Sequence, residues 1–352
     1  MIISEDTKLD FDDVLLVPQR SPHASRSNVK INRKFKFFHS ETEWEGVPIM
    51  AANMDTVGTF SMANILSNHD MITCIHKHYP FNTLLNNFQE CNIQNCWISI
   101  GMQSSDQLKL EKLVDKFQIV PNICIDIANG YTEKFVSFCA SIREKYGYKP
   151  IIMAGNVCTP EMTQELILHG KVDIVKIGIG PGSVCTTRLK TGVGYPQLSA
   201  IIECSHVAHG LKSDDKRLGL ICADGGCKHP ADVCKAFAGG ADFVMIGGMF
   251  AGCEECEGDW EYDKYGEKTT LSFYGMSSED AQNKYNGGLS KYKTSEGRTE
   301  TITCKGSAKN VIQEINGGLA SCCAYLGANS LKELPKCARA IKVNRPHYKN
   351  YV

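Results

Sequence analysis

Cys185 is the residue whose type and surroundings best suit covalent chemistry. It follows an apolar strand-like run, within the string GIGPGSVCTTRLKTGVGYPQ (residues 178–197), where glycines and a proline predict a loop. A thiolate is the nucleophile in cysteine chemistry, and it needs partial exposure together with nearby donors or positive charge. Thr186, Thr187 and Arg188 supply hydroxyls and charge within three residues of the thiol. The loop therefore predicts that Cys185 is a catalytic nucleophile.

The same glycine-rich loop has two further interpretations. Its backbone carbonyls could hold a monovalent cation, because carbonyl oxygens suit hard, weakly charged ions. A dinucleotide-binding interpretation does not fit, because the loop lacks the Gly-x-Gly-x-x-Gly spacing that opens a helix. A Rossmann fold is therefore rejected.

The other cysteines are expected to be packing atoms or surface thiols. The chain has 17 cysteines, an odd number scattered through apolar runs, which argues against a disulfide framework. Cys124 and Cys222 lie inside such runs and are expected to be inert. Cys253 and Cys256 have the C-x-x-C spacing of a zinc or redox pair, but no second pair stands at a suitable distance in the sequence. We therefore expect this pair to lie at the surface without binding a metal.

Eight short apolar runs are the elements that must position these side chains. Near-continuous apolar character is typical of parallel strands that are buried on both faces. Between the runs, stretches such as 132–146 and 160–169 carry apolar residues at helical spacing. Eight units about 25 residues apart predict one α/β domain over residues 1–352, a (β/α)8 TIM barrel rather than a doubly wound sheet. The runs are VPIMAANM, MITCIHK, CWISIG, NICIDIAN, PIIMAGN, DIVKIGIG, LGLICADGG and DFVMIGG.

Glycines and polar residues follow most of these runs. A barrel builds its active site at the C-terminal ends of its strands, so we expect them to line that site, although a strand can also simply end in turn residues. Gly225-Gly226 and Gly247-Gly248 follow the seventh and eighth runs. Glycines at these two places let backbone N–H groups approach an anion, so they predict a phosphate site.

Residues 252–305 interrupt the barrel pattern. This stretch is polar and glycine-rich, and it precedes the last predicted helix, in SAKNVIQEINGGLASCCAYLGA. Long insertions at the catalytic face of a barrel are usually lids or binding loops. We therefore expect a lid between the eighth strand and the final helix, against the alternative of a solvated excursion without function.

Charge and hydropathy exclude several classes of protein. The chain has 38 lysines and arginines against 39 acidic residues, a formal net charge of -1. Such a balance lacks the excess of positive charge that binding to nucleic acid or to an anionic membrane requires. No apolar run approaches the roughly 18 residues of a membrane span, and the first residues do not resemble a signal peptide. We expect a cytoplasmic protein without nucleic-acid or membrane partners.

Several strings resemble the IMP dehydrogenase/GMP reductase family, in the same order over nearly the whole chain. They are AANMDTVGTF, GIGPGSVCTTR with TGVGYPQL, DGG, FVMIGG, YGMSS and SEG. The spacing from Ile100 to Asp126 leaves no room for the regulatory CBS domains that IMP dehydrogenases usually carry. The stretch from Ser277 to Glu296 is also too short for their mobile flap. HKHY and DIANGY further indicate the reductase branch of the family.

The resemblance implies an activity, the NADPH-dependent reductive deamination of GMP to IMP with release of ammonia. Cys185 would attack C2 of the guanine base and form a covalent thioimidate. Thr187 and Glu296 match the family's proton relay, which is needed because an exocyclic amine leaves only when it is protonated. The alternatives are an IMP dehydrogenase without CBS domains and a non-catalytic purine-nucleotide sensor. A homotetramer is implied as well.

The resemblance also implies binding residues. For the nucleotide they are Asp224, Gly225, Gly226, Gly247, Gly248, Gly275, Met276, Ser277, Lys293, Thr294, Ser295 and Gly297. For NADPH they are Ser25, Arg26, Lys77, Asp126, Ile127, Ala128, Ile179, Gly180 and a turn formed by Ser321, Cys322, Cys323 and Ala324. For a potassium ion they are the backbone carbonyls of Gly180, Gly182, Cys185 and Arg188.

The chain departs from the family's pattern at three places. Lys293 replaces the usual lid arginine, which keeps the charge but loses the guanidinium fork. The connection 209–217 is longer and more charged than usual, and CEEC replaces a stretch that contains Gly, Ser and His. We expect the last two departures to be surface changes.

Overall fold

Eight parallel strands form a closed barrel in which sequential strands are neighbours. The structure, a computed structural model, describes residues 1, 3–23, 25–290, 292 and 294–344. The strands confirm the predicted barrel, and each lies within one of the eight apolar runs except β5, which extends one residue beyond its run to Val157. They are β1 (Ile49–Ala51), β2 (Ile72–Ile75), β3 (Cys96–Ile100), β4 (Ile123–Asp126), β5 (Ile152–Val157), β6 (Ile174–Ile177), β7 (Leu220–Asp224) and β8 (Phe243–Ile246).

Helices surround the barrel and connect successive strands. Their starts follow local capping rules: Thr59 accepts a hydrogen bond from the Met62 N–H at the start of α1, and Pro160 occupies the first turn of α5. The helices are α1 (Phe60–Ser67), α2 (Phe81–Phe88), α3 (Ser104–Phe117), α4 (Glu133–Tyr146), α5 (Pro160–Leu168), α6 (Gln197–Gly210), α7 (Pro230–Ala238) and α8 (Ala308–Leu326). Among the residues described, none of the helices combines the length and apolarity that a membrane span requires.

The barrel interior contains three of the cysteines. Cys74, Cys124 and Cys222 are fully buried there with large apolar side chains such as Trp97 and Met153. Burial raises the pKa of Cys74 and Cys222 well above the usual value for a thiol, so both thiols stay protonated. All 17 cysteines are free. These three act as small hydrophobic side chains.

An antiparallel hairpin closes the N-terminal end of the barrel. Its strands, Arg33–Lys36 and Glu43–Gly46, place Phe35 and Trp44 against Phe243 of β8, with ring centroids 4.5 and 5.5 Å away. Because these rings fill the N-terminal end, the opposite end of the barrel remains the open mouth.

Further strands lie outside the barrel. Val14–Leu16 pairs with Ala340–Lys342 antiparallel, and Lys212–Ser213 forms a short hairpin with Lys216–Arg217 before β7. A three-stranded sheet consists of Trp260–Tyr262, Lys268–Tyr274 and Thr299–Thr303. Short helices cover Phe11–Asp13, Arg26–Asn28, Thr187–Thr191, Glu279–Asn286 and Leu334–Cys337.

The expectation that CEEC lies at the surface is wrong. Cys253 and Cys256 are 0% and 2% exposed and belong to the main core. Burial raises their pKa values to about 12 and about 11, which disfavours the thiolate that a metal would need. Glu255 between them accepts hydrogen bonds from the Ser307 hydroxyl and the Ala308 N–H at the start of α8. The described residues hold no group of three or more potential metal ligands. The motif is therefore a packing and capping element.

The connection 209–217 is also more than a surface change. His209 Nε2 lies 2.7 Å from the carboxylate of Asp242, which is buried, and Arg217 reaches the same carboxylate at 3.5 Å. The extra charge of this connection is therefore directed at a buried group.

Candidate active site

The Cys185 thiol lies beside a hydroxyl and a carboxylate. It is half-buried in the loop after β6, and its Sγ is 3.3 Å from Thr187 Oγ1. The Thr187 hydroxyl donates to Glu296 Oε2 at 2.8 Å. This series offers a continuous path for a proton between a carboxylate and the surroundings of the thiol.

Backbone hydrogen bonds join the loop of Cys185 to the segment that carries Glu296. The Thr186 N–H donates to the Glu296 carbonyl at 2.8 Å, and the Arg298 N–H donates to the Val184 carbonyl at 2.9 Å. The nucleophile candidate and the carboxylate are therefore held by a short antiparallel bridge rather than by side chains alone.

The candidate lid residues gather on the same bridge. The Glu296 N–H donates to the Ser277 carbonyl at 3.1 Å, and the Ser295 hydroxyl donates to the Gly297 carbonyl at 3.0 Å. A Cβ on Gly275 would come within 2.8 Å of the Val184 carbonyl, so only glycine permits this approach. Met276 lies between these contacts in sequence and Thr294 is exposed, whereas Lys293 lies outside the described residues.

The candidate phosphate glycines face the loop of Cys185. Gly225 and Gly226 have φ values of 86° and 87°, a region that L side chains rarely adopt, and a Cβ on Gly225 would lie 3.1 Å from Pro181. A Cβ on Gly248 would lie 3.2 Å from the Ser183 hydroxyl, and Gly247 precedes it at the end of β8. Ser183 was not singled out from the sequence, yet its hydroxyl adds a donor to this cradle.

One buried lysine connects the nucleotide and cofactor candidates. Lys176 on β6 has a side chain that is 4% exposed, and its Nζ lies 2.5 Å from Asp224 and 2.8 Å from Asp126. Burial opposes its charge, but the two carboxylates outweigh burial and raise the pKa of Lys176 well above the usual value. Asn156 Nδ2 also donates to Asp224, at 2.8 Å. Asp224 is thus fixed in an orientation that leaves one carboxylate oxygen for a ligand.

Sequence reasoning missed Lys176, although a signal existed. It is a single charged residue within the apolar run DIVKIGIG. A charge in a strand that is buried on both faces requires a partner, and here that partner is the pair of carboxylates at the barrel mouth.

The cofactor candidates fall into two groups. Asp126 ends β4, and Lys77, Ile127, Ala128, Ile179 and Gly180 follow barrel strands at the mouth. Arg26, next to Ser25 in the sequence, instead meets Ser321 at the edge of the barrel. There, Arg26 Nη1 donates to the Ser321 hydroxyl at 3.0 Å. The expected turn at 321–324 is wrong, because Ser321, Cys322, Cys323 and Ala324 lie in the last turns of α8. Cys323 is fully buried, so its side chain faces the core.

The candidate potassium carbonyls belong to the turn around Cys185. The Gly182 carbonyl accepts the Cys185 N–H at 3.0 Å, and the Arg188 carbonyl accepts the Gly192 N–H at 3.2 Å. Each of these oxygens keeps a second lone pair. Gly180 adopts a φ of 78°, and the Arg188 side chain packs against it.

A latch of four residues holds the lid helix Glu279–Asn286 to the barrel. The buried Asp55, after β1, accepts hydrogen bonds from the Tyr274 and Tyr285 hydroxyls, both at 2.5 Å, and from Lys284 at 3.1 Å. Burial works against its ionisation, but these donors outweigh burial and lower the pKa of Asp55. The Tyr285 ring also stacks on His78 at 3.8 Å. The latch sets where the lid meets the mouth.

Comparisons with known proteins support the resemblance seen in the sequence. A family model described as IMP dehydrogenase / GMP reductase domain matches residues 8–349. The chain is 51% identical to a GMP reductase from Tolumonas auensis, over 98% of this chain and 97% of that protein. It is also 51% identical to GMP reductase 1 from Homo sapiens, over 98% of both chains. A crystal structure of inosine 5′-monophosphate dehydrogenase from Legionella pneumophila superposes with a TM-score of 0.80, at 33% identity over 96% of this chain and 99% of that one.

Proposed function

Because this chain belongs to the IMP dehydrogenase/GMP reductase family, we propose that it is a GMP reductase, an oxidoreductase that converts GMP to IMP and ammonia. The observation that carries the proposal is the series from Cys185 through Thr187 to Glu296, which offers a nucleophile and a proton path at one site. The higher identity to GMP reductases than to the solved dehydrogenase supports the reductive direction.

The residues of the site suit a covalent mechanism. The Cys185 sulfur forms a bond to C2 of the guanine, and the 2-amino group leaves as ammonia after it takes a proton through Thr187 and Glu296. Hydrogen bonding to Glu296 is required because a threonine hydroxyl alone is too weak an acid. When bound, a reduced nicotinamide would supply the hydride that C2 needs, and departure of Cys185 from C2 would then release IMP and restore the thiolate.

Binding of the nucleotide is assigned to the barrel mouth. Asp224 would accept the ribose hydroxyls, since a carboxylate is a double acceptor, and Lys176 would hold it in place. The glycines after β7 and β8 would present N–H groups to the 5′-phosphate. Residues 252–305 would act as the lid, with Met276, Ser277, Thr294 and Ser295 over the nucleotide.

We assign NADPH rather than NADH as the cofactor. Arg26 and Lys77 would provide positive charge for a 2′-phosphate, and Ser321 orients the Arg26 guanidinium. The carbonyl oxygens of Gly180, Gly182, Cys185 and Arg188 are of the type that a potassium ion takes, so they would hold one beside the nucleophile. A homotetramer and a cytoplasmic location are also proposed, the latter because free thiols suit a reducing compartment.

The test follows NADPH absorbance with GMP, and in parallel NADH formation from IMP and NAD. We expect NADPH loss with stoichiometric ammonia, and a decrease of at least about 10³-fold for Cys185→Ala. Cys337→Ala, which removes a thiol remote in sequence from the mouth, should behave as wild type. NADH formation without NADPH loss would identify a dehydrogenase instead. Unchanged turnover of Cys185→Ala would exclude the covalent mechanism.

A further inference from the structure

A groove of about 1770 Å³ lies at the N-terminal end of the barrel, opposite the mouth. Its walls come from the closing hairpin, the end of α4, residues just before β6 and β8, the hairpin before β7 and residues 332–336. The proposed reaction uses none of these residues. The groove is therefore a second possible binding site, separate from the mouth.

The groove concentrates positive charge in a chain whose formal net charge is -1. Nine lysines and arginines line it, against four carboxylates. Two further carboxylates neutralise part of this charge: Glu43 lies 2.7 Å from Lys34, and the buried Asp173 lies 2.5 Å from Arg143. Among the described residues, Lys171, Lys216 and Lys336 have no carboxylate within ion-pair distance. The excess is therefore available to an anion.

The floor of the groove carries more cations than its carboxylate can balance. Asp242 is 1% exposed and lies 3.3 Å from Arg33 Nη2, 3.5 Å from Arg217 Nη1 and 2.7 Å from His209 Nε2. Two guanidinium groups on one carboxylate leave a net positive charge even when His209 is neutral. Burial lowers the pKa of Arg33, whose side chain is 11% exposed. A further negative charge beside Arg33 would offset the cost of that burial.

The connection 209–217 builds one wall of the groove. Residues 209–217 contribute His209, Lys216 and Arg217, of which His209 and Arg217 reach Asp242. Tyr148 and Phe38, which are 65% and 37% exposed, also line the groove and offer aromatic faces beside the charge. Exposed aromatic rings next to lysines suit a ligand that has both a planar group and phosphates.

We propose that this groove binds a small anion that carries a chain of phosphates, such as a nucleoside triphosphate or a free polyphosphate. Several cations spread along one groove suit a chain of phosphates better than a single one, because each phosphate can take its own partners. A second copy of the same face is a poor occupant, since a two-fold contact would bring like charges together. RNA is a poor occupant as well, because the positive excess is confined to the groove of a nearly neutral chain.

The test is calorimetric titration of the whole protein with inorganic triphosphate and with GTP, in excess GMP so that the mouth is occupied. We expect Lys216→Ala/Arg217→Ala to bind triphosphate at least tenfold more weakly than wild type. Lys112→Ala/Lys116→Ala removes two positive charges from the exposed face of α3, outside the groove, and should bind as wild type. Without triphosphate, the wild type, the hairpin variant and the α3 variant should turn over GMP at the same rate. Lys171→Ala/Lys336→Ala provides a second groove variant if the hairpin variant does not fold.

Equal affinity for triphosphate and GTP would assign the site to the phosphate chain alone, and tighter binding of GTP would assign it to nucleotides. Both results support the proposal. It is overturned if wild type shows no binding at millimolar triphosphate, if both groove variants bind as tightly as wild type, or if a single-stranded RNA oligonucleotide binds more tightly than triphosphate. Because the groove variants are compared in binding and not in turnover, loss of the proposed GMP reductase activity would leave this test intact.

Discussion

At the scale of single residues, the proposed proton path depends on one carboxylate, that of Glu296. Glu296 reaches the thiol only through Thr187, so both side chains act in series. Residues in series lose activity together and not additively. A comparison of single and double variants therefore distinguishes one relay from two independent contributions to catalysis.

We predict that Glu296→Gln lowers kcat for GMP by about 10²- to 10⁴-fold, because the amide keeps the shape of the side chain but cannot carry the proton. Steady-state NADPH consumption measures kcat and KM. Glu267→Gln makes the same chemical change at an exposed position and should leave kcat unchanged. Thr187→Val combined with Glu296→Gln should be no slower than the worse single variant. Additive losses in the double variant would contradict a single relay.

Residue chemistry also marks the limit of prediction from sequence. Cys185 stood out because its neighbours in sequence supply hydroxyls and charge. Lys176 depends on Asp126 and Asp224, which lie 50 and 48 positions away along the chain and meet it only when β4, β6 and β7 come together. Such a contact has no local signature beyond one charge in an apolar run.

At the scale of elements, the latch connects the lid to the barrel. Asp55 binds two tyrosines and a lysine from the lid segment, and the same segment carries Glu296. Stability of the latch and placement of the carboxylate should therefore change together.

We predict that Asp55→Asn loosens the lid helix and lowers kcat by about tenfold, because a hydrogen bond to a charged group contributes about 1.5–3 kcal/mol. Limited proteolysis within residues 279–290 should accelerate in parallel. Tyr285→Phe removes only one donor and should give a smaller change of the same kind. If Asp55→Asn altered only the melting temperature, with kcat and proteolysis unchanged, the latch would have no role in placing the lid.

Elements with continuous apolar runs were predictable, and the insertion was less so. The eight strands follow from their composition, because burial on both faces leaves a clear pattern. Within 252–305, the strand Lys268–Tyr274 buries Leu271 and Phe273 against the core. The polar residues around this strand weaken its apolar pattern in the sequence. The polar neighbours of Cys253 and Cys256 likewise favour a surface position, although both side chains are buried.

At the scale of the whole molecule, buried histidines make stability depend on pH. His76 is 6% exposed and stacks on Tyr79 at 4.0 Å. Burial lowers its pKa from 6.5 to about 3. As the pH falls through about 6.5, His76 becomes protonated in the unfolded chain but stays neutral in the folded protein. The free energy of unfolding therefore decreases below neutral pH, until the pH reaches the pKa of the folded state.

We predict that the free energy of unfolding falls by up to about 2 kcal/mol between pH 7 and pH 5 through His76 alone. Urea unfolding at both pH values measures this difference. His76→Gln should flatten the dependence by the same amount, whereas His169→Gln, whose ring is 66% exposed, should not. Equal slopes for wild type and His76→Gln would show that other groups carry the acid sensitivity.

The backbone bridge of Val184 and Thr186 with Glu296 and Arg298 couples the position of the lid to the position of the Glu296 carboxylate. In the proposed cycle, a lid that rises to admit or release a nucleotide would have to break those backbone bonds and would carry the carboxylate away with it. In the proposed mechanism, the covalent adduct would therefore form only while this bridge is intact and Glu296 stands beside Thr187.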